Sequence, residues 1–342
     1  MLHLNTLYVT TADSRLRLDN DTLRVECEQE TRLRVPLHHL QSVVCFGHVA
    51  ISAPLMHRLA DTGIALVLLG ANGRYKARLE GATSGNVLLR HSQYRATGDI
   101  AFTLSLARAF VAGKIRNQRY VVQRGAREAK DDDDRKFLER TALDLAASLR
   151  ALPAAETLDA VRGIEGEAAR TYFGGLNRLV RRDLRDTFSM NGRTRRPPRD
   201  RMNAVLSFLY SMWMNDCRSA CESVGLDPQT GFLHALRPGR AALALDLLEE
   251  FRPFADRLAL TLTNRAQLAA DSFDDREGGA VLLNDIGRRI VITAFQERKR
   301  EEVNHSLLSG PIAIGLIPLV QARLLARHLR GDIESYPPFR IR

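Results

Sequence analysis

The sequence predicts an α+β protein in which a small N-terminal antiparallel β domain precedes a larger all-α domain. Three observations along the 342 residues support this. Up to about residue 80, apolar and polar residues alternate in short runs broken by turn residues, the two-residue period of half-exposed strands. From about residue 100, apolar residues recur at i, i+3 and i+4 for many turns, the period of helices. Between them lies a stretch carrying Gly81, Ser84, Gly85 and Gly98, which reads as a linker. The expected division is 1–82 for the β domain, 83–99 for the linker and 100–342 for the helical domain.

Taken in order, LHLNTLYVT, RLRLD, TLRVEC, TRLRVPL and LQSVVCF read as strands. Leu16, Leu18, Leu23 and Val25 point to one face, with Arg15, Arg17, Arg24 and Glu26 on the other. A short helix spans roughly Ala53 to Asp61, with Pro54 near its start. IALVLLG and GRYKARLEG complete the strands. The histidines here, His38, His39, His48 and His57, are scattered and carry no catalytic signature. The first long helix, from about Ile100, is read with Arg108, Lys114, Arg116, Arg119 and Arg124 on its exposed face. The run Asp131 to Asp134 reads as a solvated helix cap, because carboxylates favour the positive end of the helix dipole. A long apolar helix opens near Asn203, with Met212, Trp213 and Met214 as core. Helices follow to the C-terminus, interrupted by a loop or hairpin around Gly278 and Gly279 and ended by an irregular tail, ESYPPFRIR.

Charge narrows the function. The formal net charge is +10 and the isoelectric point about 9.9, which points to a polyanionic partner. Cys27, Cys45, Cys217 and Cys221 form no C-x2-C pair and read as reduced, buried thiols rather than a zinc site. No basic n-region with an apolar core opens the chain, and PIAIGLIPLVQARLLARHL is too polar to span a bilayer, so the expected location is cytoplasmic.

The chemistry concentrates in the stretch from Gly225 to Asp256. A turn-rich loop, GLDPQTGF, delivers His234; a Pro238-Gly239 break follows; then comes an amphipathic segment with Asp246, Glu249 and Glu250. With a helix starting near Arg240, Asp246 and Glu249 share a face and Glu250 turns toward solvent. Upstream, Glu165 lies on the side of its helix that carries Leu158, Val161, Ala168 and Tyr172. On periodicity it reads first as a boundary glutamate paired with Arg162 or Arg170, and second as a third ligand. An imidazole with carboxylates suits Mg2+ or Mn2+ better than structural Zn2+. Between these segments, Arg178, Arg181, Arg182, Arg193, Arg195, Arg196 and Arg199 crowd a loop-forming region suited to gripping DNA phosphates.

Four spaced motifs carry a resemblance that spans essentially the whole chain: RGIEGEAARTYF, MNAVLSFLYSMW, GLDPQTGFLH and ALALDLLEEFRPFAD. The chain resembles the CRISPR-associated adaptation integrases, the spacer-acquisition endonucleases of this antiviral defence. The resemblance implies metal ligation by Glu165, His234 and Glu249, the three catalytic positions, with Asp246 nearby as ligand or support. It implies a homodimer joined through the β domains, and a small companion adaptation protein bridging two dimers into a heterohexamer. It also implies transesterification: new spacers from double-stranded DNA inserted at the leader-repeat junction of the CRISPR repeat array. Length and the segment LARAFVAGKIRNQRYVVQR look most similar to type I, subtype C members. Two alternatives remain at this point: a non-catalytic basic scaffold that only binds DNA, and a zinc hydrolase acting on a small substrate.

Overall fold

In the computed structural model, residues 6–341 are described except 72, 74, 80, 82–86, 195 and 196. The β-rich part comprises β1 (Thr6–Val9), β2 (Ser14–Asp19), β3 (Thr22–Cys27), β4 (Glu30–Pro36), β5 (Ser42–Phe46), β6 (Val49–Ile51), α1 (Ala53–Asp61), β7 (Ala65–Leu69) and β8 (Tyr75–Leu79). The α+β class and the order of its two parts are as expected; the pairing inside the β part is mixed rather than wholly antiparallel. The strands form two four-stranded sheets, ordered β4-β3-β2-β6 and β1-β5-β7-β8. β2, β3 and β4 run antiparallel, whereas β1–β5, β5–β7 and β2–β6 are parallel pairs. For β5 and β7 the reason lies in the connection: the chain leaves β5, passes through β6 of the other sheet and helix α1, and a crossover of this kind returns it to the first sheet in the same direction.

The second sheet belongs to two cores at once. Val43, Cys45 and Leu66 face the other sheet and α1, packing with Leu16, Leu23, Leu55 and Leu59. The intervening residues Val44, Phe46, Val67 and Leu69 face the helices. This is the two-residue period of a strand buried on both faces. Phe46 stacks on Phe208, ring centroids 5.6 Å apart, and so fastens the β part to the helical part.

The helical part contains α2 (Val87–Gly98), α3 (Ile100–Glu128), α4 (Asp132–Ala151), α5 (Leu158–Leu179), α6 (Arg185–Phe188), α7 (Arg201–Val224) and α8 (Ala242–Asn264). A hairpin of β9 (Phe273–Arg276) and β10 (Ala280–Leu283) follows, then α9 (Asp285–Arg300), a second hairpin of β11 (Glu302–Asn304) and β12 (Pro311–Ala313), and α10 (Ile317–Leu329). The part read as all-α thus carries two short hairpins. Most of the stretch read as linker is also helical, as α2; residues 82–86 lie outside the described residues. The glycines drew that reading, but Leu89 and Gln93 are buried against the bundle and hold α2 in place.

Helix starts are set by side-chain caps at Asp99, Asp131, Thr157, Asp200 and Asn284, each accepting from a backbone N–H of the first turn. Of the acidic run, Asp131 is a cap as expected. Asp134 is not solvated: it is 5% exposed and pairs with Arg178 and Arg185. At the centre lies α8, packed against α7 and α3 and buried on nearly every side from Ala242 to Thr263. A helix surrounded by others has no solvent face to which a charge can be assigned. Glu250, expected in solvent, is therefore fully buried. It accepts from the Tyr336 hydroxyl (2.6 Å), the Phe339 N–H (2.7 Å) and the Gln321 amide (2.9 Å), which fixes the C-terminal segment. Burial pushes its carboxyl up to about 8 against the lowering effect of those donors. Trp213 and Met212 are core, and Cys45, Cys217 and Cys221 are buried thiols, as expected.

Candidate metal centre

The histidine loop is built for a fixed shape. Gly225, at φ 90°, turns the chain out of α7 in a conformation that side chains with a Cβ resist. Gln93 of α2 then clasps the loop: its amide nitrogen donates to the Asp227 and Thr230 carbonyls, both at 2.8 Å, and its oxygen accepts from Asp227 N–H. At Gly231 the loop presses on the start of α8. A Cβ there would lie 2.6 Å from the Ala242 carbonyl carbon and 2.7 Å from Asp246 Oδ2, so only glycine fits.

That approach lets Asp246 organise the loop. Asp246 is fully buried. Its Oδ2 accepts from the N–H of Phe232 (2.6 Å) and Leu233 (3.0 Å), and its Oδ1 from His234 N–H (3.0 Å) and His234 Nδ1 (2.7 Å). Donors converge on both oxygens, so Nδ1 carries the ring proton and Nε2 presents a lone pair. Arg162 of α5 adds a clamp, donating to the Leu233 carbonyl at 2.7 and 3.0 Å. The sequence left Asp246 between ligand and support. Its geometry is that of a support: both oxygens are spent on the loop and the imidazole.

Glu165, His234 and Glu249 come together although they sit on α5, the loop and α8. His234 Nε2 lies 3.8 Å from Glu249 Oε1. Glu249 Oε1 accepts from Arg252 Nε at 2.9 Å. The Lys114 ammonium bridges the two glutamates, bonded to Glu165 Oε1 and 2.7 Å from Glu249 Oε2. Glu165 thus pairs with neither Arg162 nor Arg170, which bind Asp159 and Glu167 instead. The Glu249 carboxyl is held well below the usual range: burial works against ionisation, but the charges of Arg252 and Lys114 outweigh it.

The donor set fits a divalent cation. Glu249 Oε2 is buried, and its partner is the Lys114 ammonium at 2.7 Å, a cation already seated where an acidic oxygen faces the site. The Nε2 lone pair and Glu249 Oε1 are two acceptors facing each other, an arrangement that a cation reconciles. Oxygen and imidazole donors without thiolate are the set for Mg2+ or Mn2+. Among the described residues, no three acidic, histidine or cysteine side chains are already drawn in to ligating distance. Lys114 stands between them.

Sequence reasoning missed Lys114 and Arg252. Lys114 was placed on the exposed face of α3, yet it is 3% exposed. The signal was present: it falls three and four residues from the buried pairs Val111, Phe110 and Asn117, Gln118, which puts it on the apolar stripe. Arg252 lies one turn after Glu249, and its guanidinium rests over the Tyr210 ring, 4.7 Å from the centroid.

The arginines read as phosphate-gripping divide. Arg178 pairs with Asp134, Arg181 with Asp183 and Arg182 with Asp131. Arg193 is half-buried, donating to Asn203 Oδ1 (2.6 Å) and Ser207 (3.1 Å) and stacking over Tyr210 at 5.2 Å. Arg199 is exposed, and Arg195 and Arg196 lie outside the described residues. Beside this loop, a pocket of about 410 Å3 is lined by Phe173, Asn177, Met190 and Arg193. No described helix is long and apolar enough to cross a membrane.

A small mixed-sheet part fastened to a helical bundle, with a half-buried imidazole–carboxylate site whose donors suit a divalent cation, defines the class of protein. The sequence profile of the family described as CRISPR associated protein Cas1 matches residues 7–297. The chain belongs to the Cas1 family. It is 54% identical over 340 residues to the CRISPR-associated endonuclease Cas1 1 of Moorella thermoacetica, covering 99% of each chain. The fold is shared with a CAS1 protein from Thermotoga maritima (TM-score 0.82, 23% identity, 96% of this chain and 97% of that one). It is shared equally with a casposase bound to integration product (0.83, 20% identity, 98% and 93%). A chain of a Cas6-RT-Cas1–Cas2 complex is similar as well (0.82, 23% identity), covering 99% of this chain and 36% of that one.

Proposed function

We propose that the chain is a metal-dependent DNA endonuclease and integrase of CRISPR adaptation, with Glu165, His234 and Glu249 as the catalytic ligands of Mg2+ or Mn2+. The observation that carries this is that side chains from three separate segments gather at one place: Glu165 and Glu249 share the Lys114 ammonium, and His234 Nε2 lies 3.8 Å from Glu249 Oε1. When bound, the cation supplies Lewis-acid polarisation of the scissile phosphate and neutralises charge on the departing oxygen. The chain's own residues do the rest. Asp246 holds the His234 proton at Nδ1 and so keeps Nε2 free to ligate. Arg252 fixes the direction of Glu249. The burial of α8 holds the Asp246 and Glu249 carboxylates in place.

In integration, the 3′-hydroxyl of a protospacer strand attacks a phosphodiester at the leader-repeat junction. A new P–O bond forms, the old one breaks, and the displaced strand leaves with a 3′-hydroxyl. Water in place of the hydroxyl gives a nick. The fold shared with a casposase bound to integration product is consistent with strand transfer. The fold shared with a chain of a Cas1–Cas2 complex supports a companion-protein partner. We further assign the β part to homodimer formation, two dimers and the companion making a heterohexamer in the cytoplasm. The subtype C, type I assignment rests on length and the α3 segment.

The test is plasmid nicking and strand transfer into a repeat-containing plasmid, with and without Mn2+ and companion protein. Alanine at Glu165, His234 or Glu249 should abolish both reactions while DNA binding persists. Unchanged reactions would return the reading to a basic scaffold, and turnover without DNA to a small-substrate hydrolase.

A further inference from the structure

Lys114 is the one group in the site that the proposed chemistry does not use, and its placement is costly. An ammonium 3% exposed to solvent is tolerated only when paired. Its two partners are the very carboxylates, Glu165 and Glu249, assigned to the metal. Lys114 and Arg252 offset the two glutamates, and Asp246 behind His234 adds one further negative charge. A divalent cation bound by the same oxygens would leave an excess of positive charge, and would need the lone pairs that Lys114 now faces.

We propose that Lys114 is a built-in counter-cation: its ammonium closes the carboxylate pair in the metal-free protein and is displaced when a divalent cation binds. The inference rests on the reading of Glu165, His234 and Glu249 as ligands. Two features give the displaced group somewhere to go. The lysine stem is long and flexible. Glu165, at 28% side-chain exposure, marks the open side of the site, whereas Glu249, at 4%, marks the closed side. Swinging past Glu165 brings Nζ to the mouth, where an anionic phosphodiester is the natural partner. Metal and DNA then reinforce each other: the polyanion stabilises the displaced ammonium, and the metal releases it. Metal-free protein keeps a closed site in which the Glu165 and Glu249 carboxylates are held together by Lys114 rather than repelling one another.

The experiment measures Mn2+ binding by calorimetry, without DNA and with a short duplex, in wild type, Lys114→Met and Lys114→Gln. Removing the competitor should tighten Mn2+ binding without DNA about tenfold, and should lower the midpoint of thermal unfolding in EDTA. The tightening that DNA brings to the wild type should shrink in both variants. Unchanged or weaker Mn2+ binding in a variant with a native circular dichroism spectrum would overturn the proposal. A wild-type measurement covers the case in which neither variant folds. Acylation of Lys114 by an N-hydroxysuccinimide ester, read by mass spectrometry, should be low in EDTA and rise several-fold with Mn2+; labelling that stays low at saturating Mn2+ overturns the proposal equally. Glu249→Gln serves as the separate control: if it binds Mn2+ as well as wild type, the ligand assignment itself fails and the inference falls with it.

Discussion

Asp246→Asn isolates the role of the support behind His234. The substitution preserves shape and removes one acceptor. If the new amide NH2 replaces Oδ2, it faces the Phe232 and Leu233 N–H groups, leaving two buried donors without partners. Each such orphan costs about 1–3 kcal/mol, so this arrangement loses about 2–6 kcal/mol. If the NH2 replaces Oδ1, it faces His234 N–H and Nδ1. Here the ring can answer by moving its proton to Nε2 and accepting at Nδ1, leaving a single orphan at about 1–3 kcal/mol. The second arrangement is cheaper, and it removes the lone pair that ligates. The variant should therefore fold with a stability loss of about 1–3 kcal/mol in urea denaturation. Its Mn2+ affinity and strand-transfer rate should fall on the order of 10–100-fold, as losses of metal-supporting partners do. Wild-type Mn2+ affinity in a folded Asp246→Asn protein would refute the tautomer argument.

Two further outcomes follow from groups around the site. Asp256 is buried beneath the Tyr172 and Tyr210 hydroxyls, at 3.0 and 2.5 Å, and burial pushes its carboxyl up to about 6 against the lowering effect of those hydroxyls. The folded state thus holds this proton more tightly than the unfolded chain. The stability it contributes is complete below about pH 4 and lost as pH rises through about 6, in total on the order of 3 kcal/mol. Urea midpoints of Asp256→Asn measured from pH 4 to 7 should lack that decline, and a decline identical to wild type would assign it elsewhere. In the arginine loop, Arg199→Ala should reduce the slope of log K against log salt by about 0.9 for one phosphate contact, without loss of stability. Arg193→Ala should instead lower the unfolding midpoint, because its guanidinium is tied to Asn203, Ser207 and Tyr210. A salt slope unchanged by Arg199→Ala would remove that residue from the DNA interface.

What the sequence determined by itself was local or periodic. Strand alternation sorted Leu16, Leu23 and Val25 from Arg15 and Arg17, and Pro54 with Gly63 bounded α1, because these patterns act within a few residues. The spacing of Asp246 and Glu249 put both on one face of α8, since i and i+3 neighbour each other on any helix. The surroundings of a helix are not local. Glu250 was assigned to solvent by its helical phase and Lys114 by its place among the arginines of α3, and packing of α8 and α3 against their neighbours buried them. Parallel pairing of β5 with β7 depended on where α1 crosses, and the partner of Glu165 on which helix lay opposite α5. Tertiary structure alone decided that Lys114, fifty-one residues from Glu165 in the chain, would sit between the two glutamates. A buried charge takes whichever counter-charge the folded packing brings within reach, and sequence spacing does not encode that distance.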